Sequence, residues 1–308
     1  MNPGPAESII DLVGNTPLLH LSRFATPPLA DIYAKLEFFA PGGSVKDRAA
    51  LGMILAAEEK GLLGTGSTII EPTAGNTGIG LALVGVARGY RVILCVPEGF
   101  AAEKMKLMEA LGGEIEYVPK AEGMTAAVAK ARELASQIPN SFIPQQFENP
   151  ANPSYHELTT GREIIEQMDS RIDAVVIGAG TSGTFVGVSR AVKKINPNVL
   201  CVLIEPEGSI YGGGSPGKKQ IEGIGQTQFI PAIYDASLAD EVLMVTNEET
   251  CAAVKTLART EGVLGGWSSA AAAAGAYQIA KRLGEGKRIV TVFPDGAERY
   301  LSQGIFDQ

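Results

Sequence analysis

The chain has 308 residues, 45% hydrophobic and 19% charged, without a compositionally biased tract, the make-up of one large or two moderate globular domains rather than a disordered or fibrous chain. Its 26 basic and 34 acidic residues leave a formal net charge of −8, which argues against nucleic acid or an anionic membrane as the main partner and still allows one local anion site. Two histidines, His20 and His156, and three scattered cysteines, Cys95, Cys201 and Cys251, with no CxxC pair, speak against a His/Cys metal centre and most Ser-His-Asp chemistry. The cysteines read as reduced, buried thiols. No stretch reaches the roughly 18–20 apolar residues of a membrane span. The start "MNPGPAESIIDLVGNTP" lacks the basic residues and long apolar run of a signal peptide. The expectation is a soluble, cytoplasmic protein.

Short β-rich runs then alternate with helical ones, the pattern of parallel sheets with helical crossovers. "DIYAKLE" (31–37) leads through the turn "APGG" into a helix from Ser44 to about Lys60. "STIIEP" is followed by a helix after Asn76, "RVILCVP" by "AAEKMKLMEAL", and "EIEYVP" by "TAAVAKARELASQI". A strand "SFIPQQ" runs into the Pro- and Asn-rich "ENPANPSYH". Strands at 173–177, "VLCVLIEP", "EVLMVTNEE" and "RIVTVFP" complete the series, with the small-residue helix "SSAAAAAGAYQIAKRL" before the last. Between Glu207 and Pro231 lies a long Gly-rich loop; a loop of that length in a compact domain is usually functional or mobile. The fold class is α/β, with two doubly wound units. The smaller is placed at 41–149 and the larger at 1–40 plus 150–308, with the binding site expected between them.

Three stretches carry chemistry. In "APGGSVKDRAA" Lys46 stands in the first turn of a helix, after Gly-Gly and an N-capping Ser44. A cation is misplaced at the positive end of a helix dipole, which predicts a lowered pKa and an amine able to condense with an aldehyde. In "EPTAGNTGIGLAL" a strand ends in Thr73, Gly75, Asn76 and Thr77 before a helix, a rim of N–H groups and hydroxyls suited to a carboxylate. In "DAVVIGAGTSGTFVG" a glycine turn spells G-x-G-x-x-G at Gly178, Gly180 and Gly183. With Glu205 ending the next strand, a dinucleotide fold is one reading of it. The three hydroxyls Thr181, Ser182 and Thr184 favour wrapping a single phosphate instead. A lysine for an imine, a cup for a carboxylate and a nest for one phosphate point to pyridoxal 5'-phosphate, which carries both an aldehyde and one phosphate.

"GGSVKDR", "EPTAGNTGIGLA", "QQFENPANP", "GAGTSGT", "IEGIG" and "ERYLS" occur in order along nearly the whole chain. In combination they resemble the cysteine synthase and cystathionine β-synthase family of pyridoxal phosphate enzymes. The resemblance implies fold type II, usually a homodimer, and β-replacement on serine derivatives. It implies Lys46 as the Schiff-base lysine, Asn76 at the cofactor's ring oxygen, and Gly180, Thr181, Ser182, Gly183 and Thr184 around its phosphate. Thr73, Ala74, Gly75, Thr77 and Gln146 would bind the substrate carboxylate, with Gly223 and Gly225 on a mobile flap beside it.

The pattern departs from the family at several points. Ala40 replaces an asparagine, and Ala74 replaces a serine beside the carboxylate cup. Gly296 stands where the family's serine contacts the pyridine nitrogen, leaving Ser268, Ser269 or a water as substitute. Trp267 replaces an isoleucine and is either core filler or pocket wall. The implied donor is O-acetyl-L-serine. Sulfide as nucleophile gives L-cysteine and acetate; homocysteine gives cystathionine. The resemblance also allows a serine acetyltransferase to dock its C-terminal peptide, and an idle binding protein is the reading without catalysis. An NAD-dependent dehydrogenase would explain the glycine turn and Glu205 but neither the Lys46 context nor the asparagine turn.

Overall fold

The computed structural model describes residues 4–307. The first three residues of the N-terminal stretch read above, and Gln308, lie outside the described residues. In chain order the elements are β1 (Leu18–His20), β2 (Asp31–Leu36), α1 (Lys46–Glu59), β3 (Thr68–Pro72), α2 (Asn76–Ala87), β4 (Arg91–Pro97), α3 (Ala102–Ala110), β5 (Glu114–Val118), α4 (Gly123–Gln137) and β6 (Ser141–Phe142). There follow α5 (Ala151–His156), a π-helical turn at Glu157–Gly161, α6 (Arg162–Gln167), β7 (Ala174–Gly178), α7 (Gly183–Ile195), β8 (Leu200–Pro206), β9 (Glu241–Val245), α8 (Asn247–Glu261), α9 (Trp267–Leu283) and β10 (Arg288–Phe293). The chain divides into two compact units.

One unit takes the described residues up to Gly14 together with Ala40–Asn152. Its sheet has the order β5-β4-β3-β6, and all its pairings are parallel. Ile70, Ile93 and Cys95 face Ala127 and Ala131 of α4. On the opposite face Gly85 of α2 lies against Val92 and Ile69. A sheet covered on both sides needs continuous apolar strands, which is how "TII" and "VILCV" read. The expected strand "SFIPQQ" is cut to Ser141–Phe142: Pro144 has no N–H for the ladder, Gln145 turns to a φ of 56°, and the next two N–H groups leave the sheet for Glu71.

The other unit comprises Asn15–Phe39 and Pro153–Gln308, with sheet order β1-β2-β10-β7-β8-β9. All its pairings are parallel except β1 with β2. Successive residues of β7 serve opposite cores. Ala174 and Val176 join α8 and α9 in one, and Val175 and Ile177 join α6 and α7 in the other. Trp267 is 7% exposed within the first of these clusters. The strand expected over "EVLMVTNEE" stops at Val245, because Thr246 and Glu249 form a capping box that starts α8. The stretch "ENPANPSYH" is helical from Ala151, whose N–H bonds to Asn149 Oδ1 at 3.0 Å. Lys35, wholly buried on β2, donates to Thr16 O, Gln167 Oε1 and Glu163 Oε2 at 2.7, 2.9 and 2.7 Å, which uses all three ammonium hydrogens.

Helices α1 and α2 approach backbone to backbone. A Cβ placed on Gly80 would sit 2.8 Å from the Lys46 carbonyl oxygen, so the start of α1 is seated one turn into α2. Gly→Ala inside a helix ordinarily gains about 1 kcal/mol, whereas overpacking costs roughly 1–3 kcal/mol. Here the obstacle is main chain, so Gly80→Ala is expected to lower the urea midpoint; a midpoint at or above wild type would show that α1 yields freely.

Candidate active site

In the first unit, Ser44 Oγ accepts the Lys46 N–H at 3.3 Å, and α1 begins at Lys46 itself. The Gly-Gly turn before it serves Asp47, whose Oδ2 accepts the Gly42 N–H at 2.6 Å; a Cβ on Gly42 would meet Oδ1 at 2.4 Å. The room at Gly42 therefore belongs to a carboxylate of this chain and not to an approaching ligand. The lysine side chain is half-buried.

Thr73, Ala74 and Gly75 link β3 to α2, whose first two residues are Asn76 and Thr77. The Thr73 N–H returns to Cys95 O at 3.1 Å and the Gly75 N–H reaches Thr73 Oγ1 at 3.4 Å. Gly75 is extended, at φ −120° and ψ −160°, and α2 starts at Asn76. Thr77 Oγ1 donates to Gln146 Oε1 at 2.6 Å, both side chains being buried. The fold thus joins two residues far apart in sequence. With its Oε1 on Thr77, Gln146 keeps its Nε2 hydrogens for another acceptor. Behind them lies Glu71, 1% exposed. Its Oε2 accepts the Gln145 N–H at 3.0 Å and its Oε1 the Gln146 N–H at 3.1 Å. Burial pushes its carboxyl up to about 7, against the pull of those two N–H groups.

In the second unit, β7 ends at Gly178 and α7 begins at Gly183. Ser182 between them has the left-handed φ of 71°. The Gly183 N–H is 3.3 Å from Thr181 Oγ1, and the first bond of the helix runs from the Val186 N–H to Ser182 O at 2.9 Å. The Gly180 carbonyl accepts from the Tyr211 hydroxyl and from Gln226 Nε2, each at 2.8 Å. Tyr211 spends its proton there, and Ser182 Oγ, buried close enough to the Tyr211 hydroxyl to act on it, makes no hydrogen bond of good geometry among the described residues. Thr184 Oγ1 lies 3.3 Å from His156 Nε2, and His156 Nδ1 lies 2.8 Å from Thr160 Oγ1 on the π-helical turn. These hydroxyls, the N–H groups of a helix's first turn and its dipole suit an anion held without a cation. A phosphate there would also give the Ser182 hydroxyl an acceptor, so the turn fits the phosphate of pyridoxal phosphate.

Gly223 and Gly225 lie against this turn at φ 84° and 78°. The Gly225 N–H bonds to Ala179 O at 2.7 Å, and a Cβ on Gly180 would be 2.3 Å from Gly223 O. Lys219 Nζ holds the Ile224 and Gly225 carbonyls at 2.8 and 3.2 Å, and burial lowers its pKa. The segment expected to be a mobile flap meets the turn here through backbone contacts. Ser269 Oγ donates to Asp295 O at 2.9 Å, so its proton is engaged and unavailable to a ring nitrogen. Gly296 has no side chain to offer, and a Cβ there would meet Glu298 Oε2 at 2.1 Å.

Glu205, read above as a ribose ligand of a dinucleotide, accepts the Tyr211 and Gly212 N–H groups at 2.9 and 3.1 Å. Both of its oxygens clamp the long loop, which removes the feature that favoured a dehydrogenase. Desolvation raises Cys95 to about 11 and also raises Cys201, so both buried thiols stay protonated. Among the described residues there is no His/Cys/Asp/Glu group able to hold a metal, and no helix long and apolar enough to cross a membrane. Sequence reasoning passed over the roles of Glu71, Tyr211 and Gln226. For Glu71 a signal was present, a lone carboxylate at the buried end of an apolar strand.

Removing a buried hydroxyl that makes no hydrogen bond of good geometry costs little. Ser182→Ala is therefore expected to leave the melting temperature of the cofactor-free protein unchanged and to weaken pyridoxal phosphate binding about tenfold, one hydrogen bond's worth. Fluorescence titration checks the affinity, and an unchanged affinity would remove Ser182 from the phosphate turn.

Comparison with known proteins agrees with this geometry. The family model for pyridoxal-phosphate dependent enzymes matches residues 9–295. A cysteine synthase of Staphylococcus aureus is 45% identical over 304 residues, 98% of this chain and 97% of that protein. The crystal structure of an O-acetylserine dependent cystathionine β-synthase from Helicobacter pylori superposes with a TM-score of 0.93 at 42% identity, covering 99% of this chain and 100% of that one. That of a cysteine synthase from Entamoeba histolytica gives 0.95 at 34% identity, covering 100% and 93%. With nearly its whole length matched, the chain belongs to the pyridoxal-phosphate dependent enzyme family, within its cysteine synthase-like branch.

Proposed function

We propose that the protein is a cysteine synthase, converting O-acetyl-L-serine and sulfide to L-cysteine and acetate. The observation that carries this reading is the 45% identity with the staphylococcal cysteine synthase over 98% of the chain. Pyridoxal phosphate, when bound, supplies an aldehyde to condense with an amine and a ring that takes up the electron pair left at the substrate's Cα.

In this reading the turn Gly180–Thr184 holds the phosphate through N–H groups and the hydroxyls of Thr181, Ser182 and Thr184. Asn76 bonds the ring oxygen. The link from Thr73 to Thr77, with Ala74 and Gly75 contributing backbone, and the Nε2 of Gln146 take the donor's carboxylate. Gly223 and Gly225 border the substrate. The amine of Lys46 would hold the cofactor at its aldehyde and, once free, would be the base that takes the proton from the donor's Cα. Acetate departs from Cβ, hydrosulfide forms its bond there, and Lys46 returns the proton to Cα. With Gly296 lacking a side chain and the Ser269 proton taken by Asp295 O, Ser268 or a water would be left to meet the ring nitrogen; so weak a partner makes for a milder electron sink and suits acetate, a leaving group that needs no acid.

The 42% identity to the Helicobacter enzyme supports a second reading, in which homocysteine replaces sulfide and the product is cystathionine. A homodimer, a serine acetyltransferase partner and a cytoplasmic location belong to the proposal through the family resemblance.

Protein purified with cofactor is expected to show the visible band of bound pyridoxal phosphate, which O-acetylserine shifts to longer wavelength. Lys46→Ala should abolish turnover by at least the ~10²–10⁴-fold of a lost acid–base group. A wild-type protein that binds the cofactor but gives no shift would sink β-replacement from this donor. Initial rates with sulfide and homocysteine compared side by side decide between the two nucleophiles, and a faster rate with homocysteine would establish the second reading.

A further inference from the structure

We propose that Glu71 is the positioning residue of the carboxylate cup: its two oxygens hold the consecutive N–H groups of Gln145 and Gln146, and so seat the Gln146 side chain against Thr77. The inference rests on the cup reading of Thr77 and Gln146 given above. It starts from the unusual course of the chain at 144–146. Pro144 cannot donate, Gln145 adopts a left-handed φ of 56°, and the N–H groups of Gln145 and Gln146 point at one buried carboxyl group at 3.0 and 3.1 Å. Left-handed backbone is unfavourable for glutamine, and the carboxylate fork gives it a reason to persist. The Gln146 carbonyl is held in turn by Asn152 Nδ2 at 2.9 Å, so the backbone of Gln146 is fixed on both sides while its side chain meets Thr77 at 2.6 Å.

Ionised, Glu71 offers an acceptor to each N–H. Protonated, it keeps one good acceptor, and its own hydrogen opposes the other N–H. The exchange falls near neutral pH, since burial has moved the group up to about 7. The titratable neighbour on the next strand is Cys95, which feels Glu71 as well as Glu116, Lys130 and Glu133 and stays protonated to about 11. It therefore does not titrate in the same window. As pH falls through about 7 the cup loosens, and KM for O-acetylserine rises while kcat is held.

Glu71→Gln keeps the volume and turns one acceptor into a donor. The expected result is a KM for O-acetylserine raised about tenfold, the worth of one lost hydrogen bond, with kcat little changed and the acid limb of kcat/KM near pH 7 gone. Independently of turnover, protein labelled with ¹⁵N-glutamine should show the Gln145 and Gln146 amide signals titrating together near pH 7 in wild type and flat in the variant. An unchanged KM in a folded variant overturns the proposal. So do wild-type amides that fail to titrate, and that measurement decides the matter even if the variant does not fold. Amides that titrate in a wild-type protein inert toward O-acetylserine would leave the clamp standing and remove the cysteine synthase reading instead.

Discussion

Two buried carboxylates govern where the site-bearing loops of this protein go. Glu71 closes β3 and Glu205 closes β8, each followed by proline, and each spends both oxygens on two consecutive backbone N–H groups of a later loop. A buried carboxyl group left without hydrogen-bond partners is costly. Each acid thus ties the end of its strand to a later loop. The carboxyl ends of parallel strands are where ligands bind in such sheets, and at the end of β3 and of β8 a carboxyl group holds a later loop.

The units solve different electrostatic problems by the same means. In the second, the turn at 180–184 presents hydroxyls and helix N–H groups with no lysine or arginine in it, so its attraction for an anion comes from oriented dipoles. The long loop is latched to that turn through Gly180, whose carbonyl takes both Tyr211 and Gln226. In the first, Thr77 and Gln146 are held by each other and, through Glu71, by the end of β3. Lys46 is seated by its own helix start and by the contact of α1 with Gly80.

The strand-helix alternation was legible because parallel sheets covered on both faces demand continuous apolar runs, and "TIIEP", "RVILCVP" and "VLCVLIEP" have that form. The Lys46 turn, the asparagine turn and the glycine turn were legible because each packs a distinctive set of residues into a short local stretch. The element ends were less so. β6 shrank to two residues because a distant carboxylate took the N–H groups that would have extended it. The three-residue β1 carries too short a pattern to be seen at all.

What the sequence determined alone was local: the α/β class, the helix starts, and the residue types of a site for an aldehyde bearing one phosphate. What only the tertiary structure decided was which local features belong together and what the buried acids do. Glu205 is the measure of that difference. From its place after a glycine turn it reads as a ribose ligand, and the folded chain shows it bonded to Tyr211 and Gly212. The physical reason is that a buried carboxyl group is satisfied by whatever donors the fold brings to it, and those donors can lie many residues away along the chain.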